Sequence, residues 1–126
     1  MKIKFIPPVV MMIILALSGY LHAIELEDAL ARARRERKVV MLELGSIGCI
    51  PCEQMKPVMQ KLRDTYKGRL EVIFVNIHKD REAGRWFRVY LIPTQVFLDK
   101  DGYEFHRHIG FYAYDEIALI LNTQGL

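Results

Sequence analysis

The sequence predicts an α/β fold, a central mixed sheet flanked by helices, preceded by an N-terminal segment of different character. Three observations predict it. Val39 to Leu44 and Leu70 to Ile77 are runs of apolar and β-branched residues separated by a stretch with helical periodicity. A further helical stretch leads to two short strands joined through Asp101-Gly102, a strong hairpin signal. The chain has 126 residues, 52% of them apolar, enough for one compact domain and too few for two.

The elements follow in order. Lys2 and Lys4 form a short basic start, Phe5 to Leu17 is uncharged and apolar, and Ser18, Gly19, His22 and Ala23 follow. Basic, apolar, then small is the layout of a secretory signal peptide. Ala16-Leu17-Ser18 and Leu21-His22-Ala23 are the candidate cleavage sites, the second with a bulky residue where a small one is usual. The apolar run falls short of the roughly 20 residues that span a bilayer. Against cleavage and export stand Arg32, Arg34, Arg35, Arg37 and Lys38, since cations close behind an apolar run favour the cytoplasmic side. Residues 1–23 are therefore a signal peptide or an uncleaved membrane anchor, and 24–126 the folded domain. The expected location is periplasmic or otherwise extracytoplasmic, with membrane contact only if the leader is retained.

Leu26 to Lys38 reads as an amphipathic helix, with Leu26, Ala29, Leu30 and Ala33 on one face and the arginines mainly on a solvated one. Val39 to Leu44, broken only by Glu43, has the pattern of a central strand covered on both faces. Gly45 to Gly48 is a loop, and Cys49 to Tyr66 a helix with a kink expected at Pro57. Leu70 to Ile77 reads as a second buried strand and Arg81 to Tyr90 as a third helix, with Trp86, Phe87 and the tyrosines as core or rim. Thr94 to Leu98 and Tyr103 to Ile109 form a hairpin, and Ala113 to Asn122 closes the chain as a helix. Strands separated by helices should run parallel, with the hairpin adding an antiparallel edge.

Charge argues against one class of partner. The formal net charge of +3 falls to about +1 without the leader lysines, weak support for nucleic acid.

The chemistry rests on two cysteines, Cys49 and Cys52, in Cys49-Ile50-Pro51-Cys52. So small a loop constrains the unfolded chain little, so the value of the pair lies in opening and closing. At a helix start, unpaired N–H groups and the helix dipole favour a thiolate on Cys49, the attacking sulfur. Cys52, one turn inside, suits the resolving role, and Pro51 occupies the first turn, where its missing N–H costs nothing. The spacing alone also fits a metal site, in which His78, His106 and His108 could join the cysteines.

The surroundings decide between these. Val39-Val40-Met41-Leu42-Glu43, the Cys49–Cys52 pair with Pro57 five residues beyond, Asn76 and Ile92-Pro93-Thr94 together closely resemble the thioredoxin family over about residues 26 to 122. The preceding helix resembles the exported single-domain members and the C-terminal domain of the inner-membrane disulfide reductase. The resemblance implies a thioredoxin-like fold and thiol–disulfide exchange without a cofactor or metal. It implies catalytic roles for Cys49, Cys52, Glu43 and Pro93, and substrate contacts from Ile50, Pro51, Ile92 and Thr94. Pro93 would be the family's cis-proline facing the disulfide, leaving neighbouring backbone free to pair with a substrate strand. Glu43, six residues before Cys49, would be a buried acid whose pKa rises toward neutrality and which accepts the Cys52 proton.

Partners would be disulfide or dithiol proteins, with a membrane disulfide reductase as a candidate electron donor. The Ile92-Pro93-Thr94 triplet and the acid tilt the direction toward net reduction. The competing functions are a copper or zinc chaperone and a binding module whose disulfide stays closed. The sequence departs from cytosolic thioredoxins in Gly48, where they carry Trp, in Ile50, where they carry Gly, and in Phe74, where a lysine often lies near the acid.

Overall fold

The computed structural model describes residues 6–126, His22 by its backbone alone. Lys2, Lys4 and Phe5, the start of the leader, lie outside the described residues. The elements are α1 (Pro8–Arg35), β1 (Val39–Gly45), α2 (Ile50–Thr65), β2 (Leu70–Asn76), α3 (Arg81–Trp86), β3 (Thr94–Leu98), β4 (Glu104–Ile109) and α4 (Tyr114–Asn122).

The four strands form one mixed sheet in the order β2-β1-β3-β4. β1 is central and fully buried, as its uninterrupted apolar run requires. Its even positions, Val40, Leu42 and Leu44, pack with Ala33, Leu26 and Leu30 of α1 and Ala83 of α3. Its odd positions, Val39 and Met41, pack with Met55, Met59 and Leu62 of α2 and with Ile117 and Leu121 of α4. The result is a three-layer sandwich.

Four expectations need correction. Only β1 and β2 are parallel; β3 runs antiparallel to β1, and β4 antiparallel to β3. Residues 77–93, which include the six-residue α3, carry the chain into β3 at the end of the sheet where β2 finished. α3 itself stops at Trp86 and not Tyr90: Arg88 takes a left-handed φ of 52°, and the Arg107 guanidinium donates to the Phe87 carbonyl at 2.8 Å. Trp86, the last residue of α3, is 76% exposed. β2 is an edge strand and only partly buried. Finally, the leader and first helix are one continuous α1, which ends at Arg35 because Arg37 turns left-handed (φ 55°) before the strand.

The N-terminal half of α1 is apolar and exposed, with Val9, Met12, Leu15 and Leu17 all open. By length and composition alone, α1 is sufficient to cross a membrane. Gly19, Tyr20 and Ala23 lie alongside His78 to Glu82. That loop follows β2, so the apolar half of α1 projects from the end of the sheet where β1 and β2 finish.

Candidate active site

β1 finishes at Gly45, and three residues of turn lead to Cys49, the N-cap of α2. Gly48 sits in this turn at φ 83°, a conformation that suits glycine. Cys49 and Cys52 are joined in a disulfide with Cα atoms 5.2 Å apart. The Cys52 N–H donates to Cys49 Sγ at 3.4 Å, and the Glu53 N–H to the Cys49 carbonyl at 3.0 Å. The outer sulfur thus receives one of the helix's unpaired donors, an arrangement that favours negative charge there. Cys49 is partly exposed, whereas Cys52 is 3% exposed. Pro57 lies inside α2, which continues to Thr65.

The floor of the site is the odd face of β1. A Cβ on Gly45 would lie 2.9 Å from Cys52 Sγ and 3.5 Å from the Phe74 ring, so glycine is what lets the inner sulfur rest on the strand. Glu43, two residues earlier, shares this face and is completely buried. Phe74 of β2 is its register partner on one side and Gln95 of β3 on the other. Gln95 Nε2 donates to Glu43 Oε2 at 3.0 Å and to the Gly110 carbonyl at 3.0 Å. Burial pushes the Glu43 pKa up to about 7, and the Gln95 hydrogen bond pulls in the opposite direction.

Thr94 pairs with Leu44, so the next step of the register sets Pro93 opposite Gly45, at the disulfide end of the sheet. The Ile92–Pro93 peptide bond is cis. The Thr94 hydroxyl donates to the Leu91 carbonyl at 2.6 Å, and the Gly110 N–H to the Pro93 carbonyl at 2.8 Å, so both ends of this loop are tied. Pro93 and Thr94 are buried, Ile92 and Pro51 partly so, and Ile50 and Ile47 are both exposed.

Cys49, Cys52, Glu43 and Pro93 therefore gather at one end of the sheet, with Ile50, Pro51 and Ile92 around them. His106 and His108 lie farther along, on β4, opposite Phe97 and Gln95. Among the described residues, no three His, Cys, Asp or Glu side chains form a group able to hold a metal. Sequence reasoning missed Gln95. Its signal was a lone amide at the second position of Thr94 to Leu98, a strand otherwise apolar after its first residue.

A thioredoxin-like domain family model matches residues 26–125. The thioredoxin of Staphylococcus aureus (strain Mu50 / ATCC 700699) is 23% identical over 99 residues, 79% of this chain and 94% of that protein. The crystal structure of a chloroplastic thioredoxin z has a TM-score of 0.71 at 20% identity, covering 80% of this chain and 88% of the other. A malaria parasite thioredoxin-2 scores 0.65 at 22% identity, over 68% and 82% of the two chains. The chain belongs to the thioredoxin-like family. With its Cys49–Cys52 pair, it is a thiol–disulfide oxidoreductase.

Proposed function

We propose that this protein works outside the cytoplasm as a dithiol reductase of partner proteins, attacking through Cys49 and resolving through Cys52. One observation carries the division of labour: Cys49 is the partly exposed N-cap of α2, and Cys52 is buried one turn inside. In the reduced protein, the Cys49 thiolate attacks a partner disulfide and forms a mixed disulfide, releasing one partner thiolate. Cys52 then loses its proton to Glu43 and attacks Cys49 Sγ, displacing the second partner thiolate. Two electrons pass to the partner, and another dithiol protein, such as a membrane disulfide reductase, must restore them. Ile50, Pro51 and Ile92 form the surface against which an extended partner segment lies. Pro93 keeps adjacent backbone available to that segment, and Thr94 holds the loop through its bond to Leu91.

Trapping tests the reading. In cells carrying Cys52→Ser, partners should accumulate as adducts seen on non-reducing electrophoresis and lost on reduction; Cys49→Ser should give none. Equal trapping by both variants, or adducts only with Cys49→Ser, would reverse the assignment. Location rests on the apolar start of α1, as a signal peptide or an anchor. Residues 1–30 fused to alkaline phosphatase should yield an active enzyme, and an inactive cytoplasmic fusion would remove the extracytoplasmic part of the proposal.

A further inference from the structure

Beneath the disulfide, donors and acceptors do not balance. Glu43 and Gln95 are both completely buried. Between them they present three side-chain oxygens and one NH2 group. Both N–H groups of that NH2 are committed, one to Glu43 Oε2 and one to the Gly110 carbonyl. Glu43 Oε1 and Gln95 Oε1 have no hydrogen-bond partner among the described residues. Buried oxygens are ordinarily paired, and an exception at a reaction centre calls for a chemical reason.

The amide cannot be turned round to improve this. Rotation by half a turn would set Gln95 Oε1 against the carboxylate and against the Gly110 carbonyl, replacing two hydrogen bonds with two acceptor–acceptor contacts. Gly110 follows β4 directly and its N–H is bonded to Pro93, so the anchor of the amide belongs to the same loop pair that holds the proline. Gln95 is thus fixed through both N–H groups of its amide, and Glu43 is held by one oxygen. The other oxygen has no such hold among the described residues, and Glu43 shares its strand face with Gly45, on which Cys52 rests.

We propose that Gln95 is a positioning residue for proton transfer: it grips Glu43 by Oε2 and leaves Oε1 to receive the Cys52 proton. The inference rests on the reading of Glu43 as that acceptor. In the step, the Cys52 S–H bond breaks, an O–H bond forms on Glu43 Oε1, and the electron pair stays on sulfur for attack on Cys49. A site short of donors gains one when the proton arrives. The N–H bond to Oε2 meanwhile keeps the carboxyl ionised at a pH where burial alone would leave it protonated.

The titratable groups around Glu43 come from several elements. α2 supplies Cys52 and β4 supplies His106 and His108, opposite Phe97 and Gln95. Tyr112 lies just before α4, and β2 presents the uncharged Phe74.

The test is the single-turnover rate of mixed-disulfide resolution against pH, in wild type, Glu43→Gln and Gln95→Met. Methionine matches the length of glutamine and has no N–H. The midpoint of the rise in rate should move up by on the order of one pH unit in Gln95→Met, roughly a tenfold loss below the midpoint. Glu43→Gln should be slow with no midpoint in this range. A slow Glu43→Gln with an unmoved midpoint in Gln95→Met overturns the role of Gln95 and leaves that of Glu43 standing. Unchanged resolution in Glu43→Gln overturns both. Should Gln95→Met fail to fold, the Gln95 side-chain amide resonances of the reduced wild type carry the test. They should titrate with Glu43 and stay constant in Glu43→Gln; no titration in the wild type removes the proposal.

Discussion

The two faces of β1 are built from one heptapeptide, yet they solve different problems. Val40, Leu42 and Leu44 pack in an apolar cluster with side chains from α1, α3 and the neighbouring strands. On the opposite face, Met41 belongs to an equally dry cluster, but Glu43 and Gly45 follow it toward the disulfide. One position gives up apolar contact for a carboxyl, the next gives up a side chain altogether. Burying an acid beside one amide costs stability that leucine would have supplied. Chemistry is thus confined to the last turn of pleat on one face, and the rest of the strand holds the sheet in place.

The comparison breaks first at Leu42. Leu42→Ala opens a cavity in the dry layer and should cost about 2–5 kcal/mol, read as a lower urea midpoint. The folded fraction should resolve mixed disulfides at the wild-type rate. A slower rate in fully folded protein would mean that the dry face takes part in the chemistry.

Glu43→Gln should act in the opposite direction. The Glu43 pKa is about 7 in the native protein against an ordinary 4.5. Between those values the native state holds a proton that the unfolded chain has released, so stability falls as pH rises through this window. The whole drop is about 3 kcal/mol. Glu43→Gln should lack it and be more stable than wild type at pH 8, while resolving mixed disulfides on the order of 10²-fold more slowly. Parallel stability curves for the two proteins would show that the carboxyl is better solvated than its burial indicates.

How much of this was readable in the sequence follows the range of the signal. Val39 to Leu44 announced a central strand because burial on both faces leaves a continuous apolar run. Cys49 and Cys52 announced a helix start because their spacing and Pro51 are local properties. The direction of β3 was not readable, since residues 77–93 are long enough to deliver the chain to either end of the sheet. The continuity of α1 was missed because composition changes near Ala23 while helical geometry does not. Gln95 escaped for a different reason. Which face it occupies, and that it meets Glu43 and not solvent, is decided by the pairing of β1 with β3 across fifty residues of chain.

The smallest effect lies at the far end of the active face, and its sign separates it from Glu43. His106 Nε2 is 3.0 Å from the Tyr112 hydroxyl, and its ring lies 5.6 Å from that of Phe97. Burial, with a lesser push from His108, lowers its pKa below the ordinary 6.5. Just below pH 6.5 the unfolded chain therefore binds a proton that the native state refuses, and stability rises with pH there. Glu43 makes stability fall over an overlapping range, so in the wild type the larger carboxyl effect covers the histidine. In Glu43→Gln the rise should stand alone in urea midpoints measured between pH 5 and 7. Adding His106→Phe, which keeps a ring against Phe97 and removes the titrating group, should flatten it. A rise that survives the second substitution would assign it to another group, and the acid slope of the active face would then belong to Glu43 alone.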